Sequence, residues 1–257
     1  MRPGSANAPT DMAKGPFHFK SFSVEQDGAA MKVGMDGIVL GATTPVEGVH
    51  LAMDIGSGNG YVGLMLLQRM SAGSHVIGVE IEPEAARQSE ENYANHPFEG
   101  RTASAWSGAI QSFVEAHPDQ IGQVDLMVSN PPFFRDKPKS PIQARNLARH
   151  DDTLKMGDLV KAASLLLKPG GRLCTIWPYD RLEEWHSWAA GSEFHVLCTT
   201  HITTMAHLPC KRFTSEWTKQ PCPAEPHQDK KLTLEGSATL DYTEEYLRFI
   251  RPYLRGT

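Results

Sequence analysis

Short apolar runs alternate with amphipathic stretches along this chain, and glycine or proline turns separate them. The apolar runs predict strands over 49–54, 75–80, 101–106, 124–129, 171–177, 194–203 and near 210–218. The amphipathic stretches predict helices over 36–44, 60–70, 83–95, 108–117, 153–167, 181–190 and 242–254. Such alternation is typical of an α/β fold with a parallel sheet and helices on both faces. Because no helix is predicted between the last two strands, we expect them to pair as an antiparallel edge of that sheet.

The strand predicted over 124–129 ends at the tetrapeptide Asn130-Pro131-Pro132-Phe133. Proline lacks an N–H and fixes φ, so two consecutive prolines force the chain out of the strand. An amide, a free backbone carbonyl at Pro131 and the ring of Phe133 would then lie together beyond the strand's end. These groups suit a planar amino group, which needs two acceptors for its N–H bonds and a ring to stack on. On its own, such a tetrapeptide is more often an ordinary turn than a functional site.

Glycines follow Asp54 at positions 56, 58 and 60, and a helical pattern begins directly after them. Glycine allows a tight turn and the close approach of a ligand to the backbone. Glu80 ends the next predicted strand, where a carboxylate can bind two ribose hydroxyls. The spacing is G-x-G-x-G rather than G-x-G-x-x-G, which leaves a nicotinamide-dependent oxidoreductase as a minor alternative. Because ligands bind beyond the carboxyl ends of parallel strands, we expect both motifs and Glu80 to converge on one sheet edge.

The 257 residues, of which 40% are hydrophobic, suit one sizeable α/β domain. We expect a disordered polar tail over 1–16, without the apolar core of a signal peptide, and a single domain over 17–257. No apolar run reaches the ~18–20 residues that a membrane span needs, so we expect no membrane association and a cytoplasmic location. The four cysteines form no C-x-x-C pair and, with the histidines, fit no zinc signature, so no metal is expected.

The net charge of −5 argues against indiscriminate nucleic-acid binding but leaves room for a local basic surface. Such a surface is predicted in the loop over 134–150, directly after the tetrapeptide. The loop has one acid and five basic residues, which are Arg135, Lys137, Lys139, Arg145 and Arg149. They are either phosphate contacts beside a target pocket or a solvated charge run. A proline-containing stretch of mixed charge over 220–231 is predicted to be an exposed loop.

The segment from Lys32 to Gly41 reads KVGMDGIVLG. Together with the glycine motif, Ser129–Phe134 and Tyr242–Tyr246, it resembles the bacterial tRNA1(Val) (adenine(37)-N6)-methyltransferase family. The resemblance runs from about Phe17 to the end of the chain. The KVGMDG segment is its most specific piece, because the other two motifs are shared by many methyltransferases.

This resemblance implies a Rossmann-like, seven-stranded class I methyltransferase sheet with an antiparallel final edge strand. It also implies S-adenosylmethionine as cofactor, tRNA as partner, and methyl transfer to the exocyclic N6 of an adenine, A37 of tRNA1(Val). The implied catalytic residues are Asn130, Pro131 and Phe133. The implied cofactor-binding residues are Lys32, Asp36, Asp54, Gly56, Gly58, Gly60, Glu80 and Ala109. The implied substrate-binding residues are Phe134, Arg135, Lys137, Lys139, Arg145 and Arg149.

Two positions depart from the family's pattern. Met35 stands where threonine is frequent, and Ala109 stands where an acidic residue commonly contacts the cofactor's adenine. Backbone N–H groups of residues 108–110, or Ser107, would have to make that contact instead. Asp36 has a second explanation, because an aspartate at this place can cap the helix that follows.

The main alternative is an N5-glutamine methyltransferase acting on a protein such as a release factor, because a glutamine amide offers the same planar NH₂ group. Enzymes of that type usually carry a long helical N-terminal domain, whereas the residues before Asp54 are largely not helix-periodic. A DNA adenine methyltransferase usually needs a separate target-recognition domain. A non-catalytic cofactor binder is disfavoured by the intact Asn130.

Overall fold

A computed structural model describes residues 15–27, 31–131, 154–220 and 226–256. A two-stranded hairpin, β1 (Phe17–His18) and β2 (Ser23–Val24), precedes the main sheet. The main sheet contains β3 (Leu51–Ile55), β4 (His75–Glu80), β5 (Thr102–Ser107), β6 (Val124–Ser129), β7 (Leu167–Pro178), β8 (His195–Met205), β9 (Arg212–Thr218) and β10 (Gln228–Glu235). Its strand order is β10-β8-β9-β7-β6-β3-β4-β5. β9 runs antiparallel to both of its neighbours, and the other pairs are parallel.

Helices cover both faces of this sheet. They are α1 (Met35–Thr43), α2 (Tyr61–Arg69), α3 (Pro83–Ala94), α4 (Ile110–Ala116), α5 (Met156–Leu166), α6 (Leu182–Ala190) and α7 (Glu244–Ile250). Successive strand residues point to opposite faces: Leu126 of β6 joins a core built with α1, α2, α3 and α7, and Met127 joins a core built with α4, α5 and α6. The α/β layer architecture predicted from the alternating pattern is confirmed.

The seven predicted strands and seven predicted helices are all present, with bounds that shift by a few residues. The antiparallel pairing predicted for the last two of these strands, β8 and β9, is confirmed, but their predicted place at the edge of the sheet was wrong. The antiparallel strand β9 lies inside the sheet, between β7 and β8, and the edge is an eighth strand, β10, parallel to β8. The chain passes from β7 through α6 to β8, which lies two positions from β7 in the sheet. β9 then runs in the opposite direction and occupies the position between them.

β10 also corrects the prediction of an exposed loop over 220–231, because Gln228 to Lys231 belong to the strand. The sequence QDKK there has the polarity of a loop. Charged residues are common on edge strands, which pair on one side only and whose side chains reach water. Composition alone therefore cannot separate such a strand from a loop.

The N-terminal hairpin contacts the end of the described chain, which in turn contacts α1 and α2. The Lys20 backbone N–H donates to the Tyr253 carbonyl over 2.7 Å. The Tyr253 hydroxyl donates to the Met65 carbonyl in α2, at 3.1 Å, and the Tyr246 hydroxyl lies 2.7 Å from the Met35 sulfur in α1. Within the described residues, no helix is long and apolar enough to cross a membrane.

Candidate active site

The carboxyl ends of β4, β3 and β6 form a continuous edge. Ile55 of β3 is in register with Val79 of β4 and with Ser129 of β6. The residues that follow these three, Gly56, Glu80 and Asn130, therefore stand side by side, about 4.8 Å apart from strand to strand. The Ser129 hydroxyl donates to the Ile55 carbonyl over 2.7 Å and ties β6 to β3 at this point. The structure thus brings the glycine turn, Glu80 and the first residues of the tetrapeptide to one edge, as the strand pattern predicts.

The glycine turn after β3 has two distinct sides. Gly56, Gly58 and Gly60 have φ values of 74°, 56° and 83°, a region that favours glycine. A Cβ placed on Gly56 or Gly58 would meet no described atom within 4 Å, so these residues face open space. A Cβ on Gly60 would lie 2.6 Å from the Ser89 hydroxyl oxygen, so this residue faces the core. The first two glycines keep backbone accessible to a ligand, whereas the third allows α2 to pack.

Glu80 holds the turn in place from the neighbouring strand. One carboxylate oxygen accepts the Gly58 N–H at 2.8 Å, and the other accepts the Glu82 N–H at 2.9 Å. The residue is 8% exposed. Each oxygen keeps a second lone pair, so the carboxylate can accept further hydrogen bonds from a bound hydroxyl.

Asp54 lies beneath the turn rather than on its open side. Its side chain is buried, and it accepts the Gly63 N–H of α2 at 3.1 Å. Burial raises the pKa of Asp54 from 3.8 to about 7; the hydrogen bond from Gly63 opposes this rise, and the negative charge of Glu80 adds to it. In this position the carboxyl group fixes the start of α2.

Asn130 and Pro131 are the first residues beyond β6, and Pro131 is buried. Tyr61, the first residue of α2, is buried. Its hydroxyl contacts the backbone of Gly34, at 3.2 Å from the carbonyl oxygen and 3.4 Å from the amide nitrogen. Sequence reasoning missed Tyr61. The available signal was a hydroxyl-bearing ring directly after the glycine turn, where an apolar residue would have sufficed for packing.

Lys32 and Asp36 lie at the start of α1, beside Tyr61. The N-cap position belongs to Gly34, so the alternative of Asp36 as the helix cap is wrong. Asp36 instead forms an ion pair with Arg212 of β9, with 2.8 Å between Oδ2 and Nε. Lys32 is half-buried. The KVGMDG segment is thereby fixed against the sheet at the start of β9.

Ala109 occupies the N-cap position of α4, close to the end of β5. The Gly108 N–H donates to the Glu80 carbonyl oxygen over 2.8 Å, so that N–H is committed to the backbone. Of the three backbone N–H groups predicted to contact the cofactor's adenine, those of Ala109 and Ile110 therefore remain as candidates, beside Ser107. The remaining predicted site residues, Phe133, Phe134, Arg135, Lys137, Lys139, Arg145 and Arg149, lie outside the described residues.

The described site offers backbone, carboxylate and amide oxygens, which bind hydroxyl and amino groups. Across the described ranges, no group of three or more His, Cys, Asp or Glu side chains is placed to hold a metal ion.

Comparisons with known proteins agree with this geometry. The family model described as "Methyltransferase small domain" matches residues 39–182. A tRNA1(Val) (adenine(37)-N6)-methyltransferase from Porphyromonas gingivalis is 37% identical over 251 residues, 95% of each chain. One of the same name from Bacteroides fragilis is 37% identical over 92% of this chain and 96% of its own. Among solved structures, the predicted O-methyltransferase Atu636 from Agrobacterium tumefaciens has a TM-score of 0.64 at 16% identity, over 87% of this chain and 100% of its own. The last similarity shows a class I methyltransferase fold, and the sequence relatives show that this chain belongs to the tRNA1(Val) (adenine(37)-N6)-methyltransferase family.

Proposed function

We propose that this protein transfers a methyl group from S-adenosylmethionine to the exocyclic N6 of an adenine in tRNA, A37 of tRNA1(Val). The observation that carries the proposal is the position of Asn130 and Pro131, directly beyond β6 and one strand from the open glycine turn. The proposed substrate is the one in the names of the curated relatives, which align with this chain over nearly their full length. The place of action is then the cytoplasm.

The described residues fit the cofactor. The open sides of Gly56 and Gly58 form a cradle that any Cβ would fill, which suits a ligand lying against the backbone. Glu80 would hold the ribose hydroxyls through its unused lone pairs, while its present bonds to Gly58 and Glu82 keep it in place. Lys32 and Asp36 would cover the methionine end. When bound, the cofactor supplies a methyl group on a sulfonium, which leaves as a neutral thioether.

The protein's part in the reaction is to bind and orient the adenine amino group. Its lone pair is delocalised into the ring, so the nitrogen is a weak nucleophile. The Asn130 Oδ1 and the Pro131 carbonyl would accept the two N–H bonds and favour a pyramidal nitrogen. They would also stabilise the positive charge that develops there, which is strongest in the transition state. The proton leaves after transfer, so no strong general base is required.

Residues beyond Pro131 complete the proposal. Phe133 would stack on the base, and aromatic stacking contributes about 1–3 kcal/mol per base. That is comparable to the few kcal/mol needed to extrude a base, and an anticodon-loop base is already unpaired. The basic residues from Arg135 to Arg149, with Phe134, would contact the tRNA around the target.

The test is labelled methyl transfer to total tRNA from a strain that lacks the gene, followed by nucleoside analysis. We expect label in N6-methyladenosine. Asn130→Ala should abolish transfer while S-adenosylmethionine binding persists, and Asn95→Ala, at the exposed end of α3, should retain full activity. Label that appears only in protein would favour the glutamine alternative, and retained activity in Asn130→Ala would refute the mechanism.

A further inference from the structure

The local sequence does little to fix the backbone at the start of α1. The N-cap residue is Gly34, which has no side chain to accept the unpaired N–H groups of the first turn. Gly37 follows within that turn, and glycine is a poor helix former. Contacts with residues from other parts of the chain must therefore hold this start in place.

Each of the four consecutive residues 33–36 is held by one side chain, and the four side chains come from four different parts of the fold. The pairs are the Val33 N–H with Gln26 Oε1 at 3.3 Å, the Gly34 carbonyl with the Tyr61 hydroxyl at 3.2 Å, the Met35 sulfur with the Tyr246 hydroxyl at 2.7 Å, and Asp36 Oδ2 with Arg212 Nε at 2.8 Å. The first partner follows β2, and the others lie in α2, α7 and β9. The shape of the segment 33–36 is therefore set by the whole fold.

Gly37 shows how closely this segment is packed. A Cβ on residue 37 would stand 1.8 Å from the Tyr61 hydroxyl oxygen. Glycine is therefore needed here for the hydroxyl to reach the Gly34 carbonyl, although it weakens the helix. The sequence accepts a weaker helix in order to fix the place where it starts.

The contacts also place the segment 33–36 with respect to the site. Tyr61 directly follows Gly60, the last glycine of the turn after β3. Arg212 begins β9 and is in register with Pro178, at the carboxyl end of β7. Since β6 and β7 lie between β3 and β9 in the sheet, the segment links the two sides of the edge at which β6 ends.

We propose that Arg212 is a positioning residue, which acts through Asp36 to set the segment 33–36 as a preformed wall of the cofactor site. Of the four contacts, this one joins two charged groups, whose side chains are 35% and 30% exposed. Hydrogen bonds between charged groups are stronger than those between neutral ones. The inference rests on the proposed function, in which Lys32 and Asp36 cover the methionine end of S-adenosylmethionine. Without Arg212 the Asp36 carboxylate loses this cation, and the wall loses its link to β9.

The test compares Arg212→Ala with Arg172→Ala. Both arginines join the sheet to the region of α1 and pair with a carboxylate. Arg172 pairs with Glu216 at 3.1 Å and donates to the Pro45 carbonyl at 3.2 Å, two residues after the helix ends. Arg172→Ala therefore removes a comparable set of contacts at the other end of α1.

Backbone amide hydrogen exchange, followed by NMR without cofactor or tRNA, reports on the segment itself. The N–H groups of Val33, Gly34 and Ile38 are informative, because the first two bond to side chains that hold the segment and the third bonds to the Gly34 carbonyl at 3.1 Å. We expect all three to exchange roughly three- to tenfold faster in Arg212→Ala. Their exchange in Arg172→Ala should equal that of wild type.

Calorimetric titration measures the consequence for the cofactor. The Kd for S-adenosylmethionine should rise by roughly three- to tenfold in Arg212→Ala, the effect of one charged hydrogen bond at a partly exposed place. It should stay within about twofold of wild type in Arg172→Ala. In protein that already carries Asp36→Ala, the further change Arg212→Ala should leave the Kd unaltered. Arg212→Gln, which keeps most of the stem without the charge, should change the amide exchange and the Kd in the same direction as Arg212→Ala.

Unchanged amide exchange or an unchanged Kd in folded Arg212→Ala and Arg212→Gln proteins would overturn the inference. An equal rise of the Kd in Arg172→Ala would also overturn it, because it would indicate a general loss of stability. Additive effects of Arg212→Ala and Asp36→Ala would show that Arg212 does not act through Asp36. Failure of the wild-type protein to bind S-adenosylmethionine would instead overturn the proposed function, and amide exchange would still decide whether Arg212 holds the segment.

Discussion

Glu80→Gln provides the sharpest test of the cofactor site. The carboxylate makes two hydrogen bonds to backbone amides, from Gly58 at 2.8 Å and from Glu82 at 2.9 Å. Glutamine has one acceptor end, so one of these two amides must face an NH₂ group and loses its partner. A hydrogen bond to a charged group contributes about 1.5–3 kcal/mol. Since each 1.4 kcal/mol is tenfold in affinity, a turn no longer held in place should bind S-adenosylmethionine roughly 10- to 100-fold more weakly.

The assay is calorimetric titration of S-adenosylmethionine into each variant, with chemical denaturation run beside it. Glu90→Gln is the matched control: Glu90 also accepts a backbone N–H, from Ala105 at 2.6 Å, but it lies on the exposed side of α3 and β5. It should bind the cofactor with wild-type affinity. If Glu80→Gln also bound within twofold of wild type, the role of Glu80 in holding the turn and the ribose would be refuted.

Two further predictions concern stability. The folded-state pKa of Asp54, about 7, lies above its ordinary value of 3.8. The contribution of Asp54 to folding stability is therefore complete below pH 3.8 and is lost as the pH rises through 7. A pKa shift of this size corresponds to roughly 4 kcal/mol of folding free energy. Asp54→Asn, which can still accept the Gly63 N–H, should therefore gain stability relative to wild type between those pH values in urea denaturation, and a pH-independent difference would contradict the assignment. Gly60→Ala should lower the free energy of unfolding by roughly 2–4 kcal/mol, from left-handed strain and crowding, because its φ is 83° and its Cβ would lie 2.6 Å from the Ser89 oxygen. Gly73→Ala is the control, because Gly73 has a φ of 84° and open space around the position of a Cβ. It should lower the free energy of unfolding only by the strain of roughly 1–2 kcal/mol. Equal losses of stability in the two variants would argue against crowding at Gly60.

Local patterns were sufficient to predict the elements that build the site. Gly56 and Glu80 follow strands with clear apolar runs, and parallel strands align their carboxyl ends by geometry, so their meeting follows from sequence alone. The burial of Asp54 beneath the turn could not be predicted, because the same residue pattern fits a carboxylate on either side of a glycine loop.

Contacts between distant residues escaped prediction for a different reason. The Asp36–Arg212 ion pair joins residues 176 positions apart, and no periodicity in either segment depends on it. Tyr61 was assigned to a helix correctly, yet its hydrogen bond to the Gly34 carbonyl depends on how α2 packs against the start of α1. Charge on β10 concealed a strand for the same underlying reason, since its pairing with β8 is set by the sheet and not by its own composition.

The contact between the hairpin region and α7 has a consequence for protein synthesis. Lys20 leaves the ribosome early, but its partners at Tyr253 and Arg251 emerge more than two hundred residues later. α1, which begins next to Gly34, packs on α7 through Met35 and Tyr246. The segment around Gly34 therefore depends on contacts with the C-terminal part of the chain, whereas the glycine turn and β6 are built from residues that precede it. Contacts between residues so far apart in sequence close a long loop, so we expect them to form late in folding.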